Sequence, residues 1–222
     1  MKISEPTTLF TDYALALLTL LWGIRLFRVG QQNRQTSKLL WGLGFLATTS
    51  ASLWGGTFHG FRHHLGEVLT VVLWKMSVYS VGFASFFMLS AIVLVCMKRP
   101  WRHWALGVVA LKFFAFAIWM IGHSEFRFVV YDYASAMIVI LLLQIYASVS
   151  RRGKSAVWIV GGVLIGLAGG VIQMKKFYLY EYFNHNDLFH VMQMAAFYLF
   201  YRGGKLLDPA SQRNVSDDAL AT

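Results

Sequence analysis

Charge is scarce in this chain, and negative charge scarcer still. Of 222 residues only 14% are charged, with ten Asp or Glu against twenty Lys or Arg. Soluble domains carry about a quarter charged residues, so the composition excludes an ordinary water-soluble protein. Cysteine occurs once, as Cys96. That excludes an intrachain disulfide and a zinc cage built from thiolates. Cys96 lies in an apolar run and reads as inert packing. Proline is nearly absent, three residues in all, and Pro100 after Lys98 and Arg99 reads as a helix stop. No cleavage-site pattern follows the first apolar run, which therefore reads as a retained helix rather than a signal peptide.

What is present is hydrophobic: 57% of the residues. A helix needs about 20 apolar residues to span a bilayer. Runs of that length cover about residues 9–27, 39–61, 69–97, 101–122, 126–150 and 155–174, and a seventh lies within 184–203. They leave no room for a separate soluble domain. The expected fold is an all-α integral membrane protein, a seven-transmembrane-helix bundle over residues 1–205 with a flexible cytoplasmic tail over 206–222. The polar segment from Arg25 to Lys38 reads as a solvated connector. The glycines of the sixth run, Gly161, Gly162, Gly166, Gly169 and Gly170, form a small-residue stripe suited to tight helix packing. Lys112 and Asp132, in adjacent helices, are expected to pair, or one of them to meet the helix of Lys75 through water, because an unpaired charge inside a membrane is expensive.

The net charge of +10 does not point to nucleic acid, because the basic residues are dispersed among loops. They sort by side instead. Arg25, Arg28, Arg34, Lys38, Lys98, Arg99, Arg102, Arg151, Arg152, Lys154, Arg202 and Lys205 fall on one side. Lys2, Arg62, Arg127, Lys175 and Lys176 fall on the other. The positive-inside rule then puts the N-terminus outside and the C-terminus in the cytoplasm of a multi-pass protein of the plasma (inner) membrane, with membrane lipid as its first partner. Every acid before the tail falls on the outer side: Glu5, Asp12, Glu67, Glu125, Asp132, Glu181 and Asp187. So do six of the seven histidines: His59, His63, His64, His123, His185 and His190.

The chain is organised around the stretch from Asn184 to Gly203, which opens polar and closes apolar. Asn186, His190 and Met194 recur every four residues and share a helix face. One reading of its polar mouth is a helix cap in the headgroup region; the other is a metal or catalytic site. In the second run, Ser52, Gly55 and His59 share a face, and His63 extends it if the helix continues. Asp12, near the start of the first run, reads as an acid complementing the helix dipole.

The stretch Asn186 to Gly203 resembles the last membrane helix of the CREST superfamily, which includes alkaline ceramidases and adiponectin-type receptors. Those seven-helix membrane hydrolases carry a His-x-x-x-His pair there and a Ser-x-x-x-His element at the end of the second helix. The resemblance implies a zinc-dependent hydrolase of lipid amides or esters, with a lipid substrate. His190 matches the second His of the pair, and Asn186 stands where the first belongs. His59 matches the second-helix His, with Gly55 in place of the Ser. On this reading His59 and His190 hold zinc near Asn186, the third ligand comes from Asp187, His185 or His64, and Asp12, Glu67, Asp132 or Asp187 acts in catalysis. The other function class is non-enzymatic: a membrane sensor, ligand-binding or transport-like protein whose polar outer cluster holds a ligand.

Overall fold

The computed structural model describes residues 3–149, 154–180 and 183–207. Lys2, Arg151, Arg152, Glu181 and the tail from Asp208 lie outside the described residues. Seven helices follow one another: α1 (Pro6–Gln32), α2 (Thr36–Phe61), α3 (Glu67–Cys96), α4 (Trp101–Gly122), α5 (Phe126–Val149), α6 (Ala156–Lys175) and α7 (His185–Lys205). Among the described residues the only extended pairing is one bridge, Tyr180 to Phe183.

Five of the helices, α1, α3, α4, α5 and α6, are long and apolar enough to cross a membrane. α2 and α7 are not among these five, and both bury polar side chains. α2 carries buried Thr49 and Ser52 among its glycines, and α7 carries buried Asp187, His190 and Gln193. α4 is the opposite case. Only Val109, Phe116 and Met120 of its residues are buried, while Trp104, Val108, Leu111 and Ile118 face outward. An apolar surface of this kind fits a membrane-embedded protein.

The helices form a ring. α1 packs on α2, α2 on α3, α3 on α5, α5 on α6, α6 on α7, and α7 returns to α1, while α4 lies outside against α3. Small residues set the closeness of these contacts. A Cβ on Gly30 would sit 2.5 Å from the backbone nitrogen of Leu39, and one on Gly42 would sit 2.7 Å from that of Phe27, so α1 and α2 touch backbone to backbone. This contact corrects the expected long connector. α1 runs on to Gln32, only residues 33–35 separate it from α2, and Ser37 and Lys38 are buried. In the glycine stripe of α6, Gly162 packs under the ring of Phe200 on α7, as its small residues led us to expect.

Lys112 donates to a carboxylate oxygen of Asp132, and to its backbone oxygen at 2.9 Å. The expected pair is therefore formed. Lys75 turns its ammonium to the end of α4, donating to Met120 O and, at 2.6 Å, to His123 O. These are carbonyls that a helix end leaves without an intrahelical donor, and a cation there also opposes the negative end of the dipole.

Candidate functional site

The N-terminal end of α7 is built by its own first residues. The Asn184 side chain accepts from the backbone N–H of Asn186 (2.7 Å) and of Asp187 (3.4 Å), and Asp187 Oδ2 accepts from Asn184 N at 2.8 Å. This is a capping box, which satisfies donors that a helix start would otherwise leave open. Asp187 Oδ1 accepts from Thr8 Oγ1 of α1 at 2.8 Å. Both carboxylate oxygens of Asp187 are thus committed, to the cap and to α1. For Asn184 and Asp187 the helix-cap reading describes what the residues do.

One turn further on, His190 faces α1. Its Nδ1 lies 3.1 Å from Thr11 Oγ1 and its Nε2 lies 3.3 Å from Asp12 Oδ1. Asp12 is 4% exposed and His190 8%. Asp12 is not a first-turn acid at the water boundary: it lies six residues into α1 and meets α7 through its carboxylate. Two hydroxyls and one carboxylate of α1, at positions 8, 11 and 12, thus bind the first two turns of α7. Spacings of three and four put them on one helical face.

Beside this contact lies a cavity of about 160 Å³. Every helix except α4 contributes to its wall. Asp12 comes from α1, Ser52, Gly55 and His59 from α2, Trp74 and Ser77 from α3, and Phe126 and Tyr133 from α5. Gly170 and Gln173 come from α6, and Asn186, Phe189, His190 and Gln193 from α7. The predicted face Ser52–Gly55–His59 is on the wall as a unit. On α7 the stripe runs Asn186, His190, Gln193 and Phe197, at spacings of four, three and four. Met194, expected on this face, instead packs against the apolar core.

Several polar atoms of the wall are paired within the protein. Gln173 Nε2 donates to Asn186 Oδ1 at 2.8 Å, so the residue in the place of the family's first His is one half of an amide pair. Tyr133 OH donates to Gln193 Oε1 at 3.4 Å, and Ser77 Oγ donates to Ala51 O at 2.9 Å. Above the cavity the N-terminal segment is fastened to α2. Ser4 N donates to Gly60 O at 2.9 Å, while Glu5 lies 3.2 Å from His59 Nδ1 and 2.7 Å from Arg62 Nη2. The hydrogen bond with His59, with the positive charge of Arg62 beside it, holds the Glu5 carboxyl below the usual glutamate range.

The other candidate residues lie elsewhere. Glu67 is exposed in the first turn of α3. His64 is exposed beyond the end of α2. His185 meets Tyr178 edge to face, ring centroids 5.3 Å apart. Asp132 is held by Lys112, against Ser85 and Gly82, in a separate small recess. Sequence reasoning did not single out Gln173, Gln193, Thr8, Thr11 or Trp74. The signal for Gln193 was available, since it completes a three-and-four stripe with Asn186 and His190.

The fit to zinc can be judged from this donor set. Zinc takes three or four ligands, with nitrogen at about 2.0–2.1 Å. His190 has a partner at each ring nitrogen, His59 turns Nδ1 to Glu5, and Asp187 spends both oxygens. Among the described residues no group of three or more His, Cys, Asp or Glu is arranged to hold a metal ion. The residues as placed do not fit a zinc site.

A family model matches residues 7–209. The chain belongs to DUF6962, a family of unknown function. The match covers all seven helices, so the DUF6962 unit contains the whole ring and the cavity within it. No curated protein and no solved structure matches the chain.

Proposed function

We propose that this protein is a membrane-embedded binding protein and that the cavity at the N-terminal end of the ring is its ligand site. The observation that carries this reading is the cavity itself: about 160 Å³, walled by six helices, mixed polar and aromatic, with buried Asp12 and His190 on its wall. Small-molecule sites are mostly apolar hollows with a few convergent polar groups, and ionisable residues placed within a membrane usually serve function. We also infer that all seven helices cross the membrane and that the cavity end faces outward. The polar groups that lower the hydropathy of α2 and α7 turn inward, and the basic loops gather at the opposite end.

The test is a small-molecule binding screen on detergent-purified protein, run beside Gly170→Leu. A Cβ at Gly170 meets only Val130 Cγ1, at 3.8 Å, so the backbone accepts a side chain there, on the cavity wall. Compounds that bind the wild type and not Gly170→Leu support the reading. A screen with no binder, or with binders indifferent to Gly170→Leu, rejects it. Zinc-dependent lipid hydrolysis is judged separately by elemental analysis. Stoichiometric zinc, lost in His190→Ala, would replace the binding reading with the hydrolase.

A further inference from the structure

We propose that the outward face of α7, at the basic end of the ring, is a site for an anionic phospholipid whose phosphate is held by Arg202 and Lys205. The site is separate from the cavity. Val191, Ala195, Tyr198, Arg202 and Lys205 recur at spacings of four, three, four and three, so they form one stripe along α7. Val191, Ala195, Tyr198 and Lys205 are exposed. The stripe is apolar, then aromatic, then cationic, the order in which a membrane presents acyl chains, interface and charged headgroups. From Val191 to Arg202 it rises about 16 Å, roughly half the hydrocarbon core of a bilayer.

Neighbouring rings hold the two cations in place. The Arg202 guanidinium lies over Trp158 of α6, 4.3 Å from the ring centroid, and donates from Nη1 to Tyr198 OH at 3.1 Å. The Lys205 ammonium lies 4.9 Å from the centroid of Tyr201, which stacks on Trp22 of α1 with centroids 5.7 Å apart. None of these contacts neutralises a charge. Arg62, Lys112 and Arg127 have carboxylate partners in Glu5, Asp132 and Glu125. All six acids among the described residues lie toward the cavity end of the ring. Arg202 and Lys205 have no carboxylate partner among the described residues.

The open hydrogen-bonding atoms select the ligand's charge. A guanidinium has five N–H donors, and Arg202 spends one of them on the protein. The Lys205 ammonium donates to no oxygen among the described residues, and Tyr198 OH accepts from Arg202 while its own proton stays free. The stripe therefore presents donors and positive charge together, and a phosphate oxygen answers both. The headgroup itself carries no ammonium. The aromatic rings that would attract one already hold Arg202 and Lys205, and no carboxylate stands by to pair with it. The occupant is an acidic phospholipid rather than a zwitterionic one.

The experiment counts lipid retained by the full chain in an uncharged detergent, by native mass spectrometry. The probes are phosphatidylglycerol and phosphatidylcholine with identical acyl chains. The expected result is one retained phosphatidylglycerol, preferred over phosphatidylcholine at least about tenfold. Arg202→Gln with Lys205→Gln should reduce that preference at least about fivefold. Lys98→Gln with Arg99→Gln removes the same charge from the α3–α4 connection, which the ring order separates from α7, and should change the preference less than about twofold. Lys205→Gln alone, at an exposed position, should reduce it at least about twofold, and it carries the test if the double variant does not fold. Equal retention of the two lipids would overturn the proposal. Equal losses in the two double variants would also overturn it, by showing diffuse attraction to the whole basic end. Displacement of phosphatidylglycerol by inorganic phosphate, but not by chloride at the same ionic strength, would replace the lipid with a free anion.

Discussion

Asp12 and His190 carry the energetics of this site. Each is buried, and the two meet across α1 and α7 at 3.3 Å. Removing one partner of a buried pair leaves the other uncompensated. His190→Ala should therefore cost about 1–3 kcal/mol of stability, read as thermal unfolding of detergent-purified protein. Adding Asp12→Asn to His190→Ala should cost at least about 1 kcal/mol less than Asp12→Asn alone. Simple additivity would show that the 3.3 Å contact has no energetic content. Glu5 behaves differently because it titrates at the edge of the structure. Its folded carboxyl is lowered by His59 and Arg62, so folding favours its ionised form. The stabilisation is full above the ordinary glutamate value of about 4.3 and is lost as pH falls through the lowered folded value. The stability gap between wild type and Glu5→Gln should be widest near neutral pH and should close below about pH 4. A gap that widens on acidification would contradict the clasp.

At the scale of helices, backbone contact sets what α1 and α2 tolerate. Gly30→Ala should destabilise by about 1–3 kcal/mol, because its Cβ would meet Leu39 N at 2.5 Å. Gly107→Ala on α4, where nothing lies within 4 Å, should stay within about 0.5 kcal/mol of wild type. Equal melting of the two variants would refute the close approach. Helix positions were legible in the sequence wherever an apolar run was bounded by basic residues or Pro, as for α3 through α6. The α1–α2 connection was misjudged because Gln31, Gln32 and the flanking basic residues are polar yet still helical, and only the glycine pairing reveals the contact. Within the site, Ser52, Gly55, His59, Asn186 and His190 were legible from spacing on their own helices. The roles of Thr8, Thr11 and Asp12 were not, because they depend on α1 lying against α7. Sequence periodicity says which face a residue shares, not which helix that face meets.

For the whole molecule, the asymmetry of basic residues makes a prediction about the membrane. In a Cys96→Ala background, a cysteine at His64 should react with a membrane-impermeant thiol reagent added to intact cells, and one at Gln32 should not. The reverse pattern would invert the orientation and move the cavity to the cytoplasmic side. Five helices satisfy length and hydropathy unaided. α2 and α7 bury their polar groups on the cavity wall and against neighbouring helices, so a bundle that hides them fits a bilayer better than either helix alone.

The bonds from Thr8 to Asp187 and from Thr11 to His190 each join residues 179 positions apart. Ribosomes add roughly 5–20 residues per second, so α1 leaves the exit tunnel on the order of ten seconds or more before α7 is made. Throughout that interval the first helix waits with Thr8, Thr11 and Asp12 lacking their final partners. The last helix brings the partners of Thr8, Thr11 and Asp12 and its own share of the cavity wall together, so a chain that stops before α7 lacks both at once.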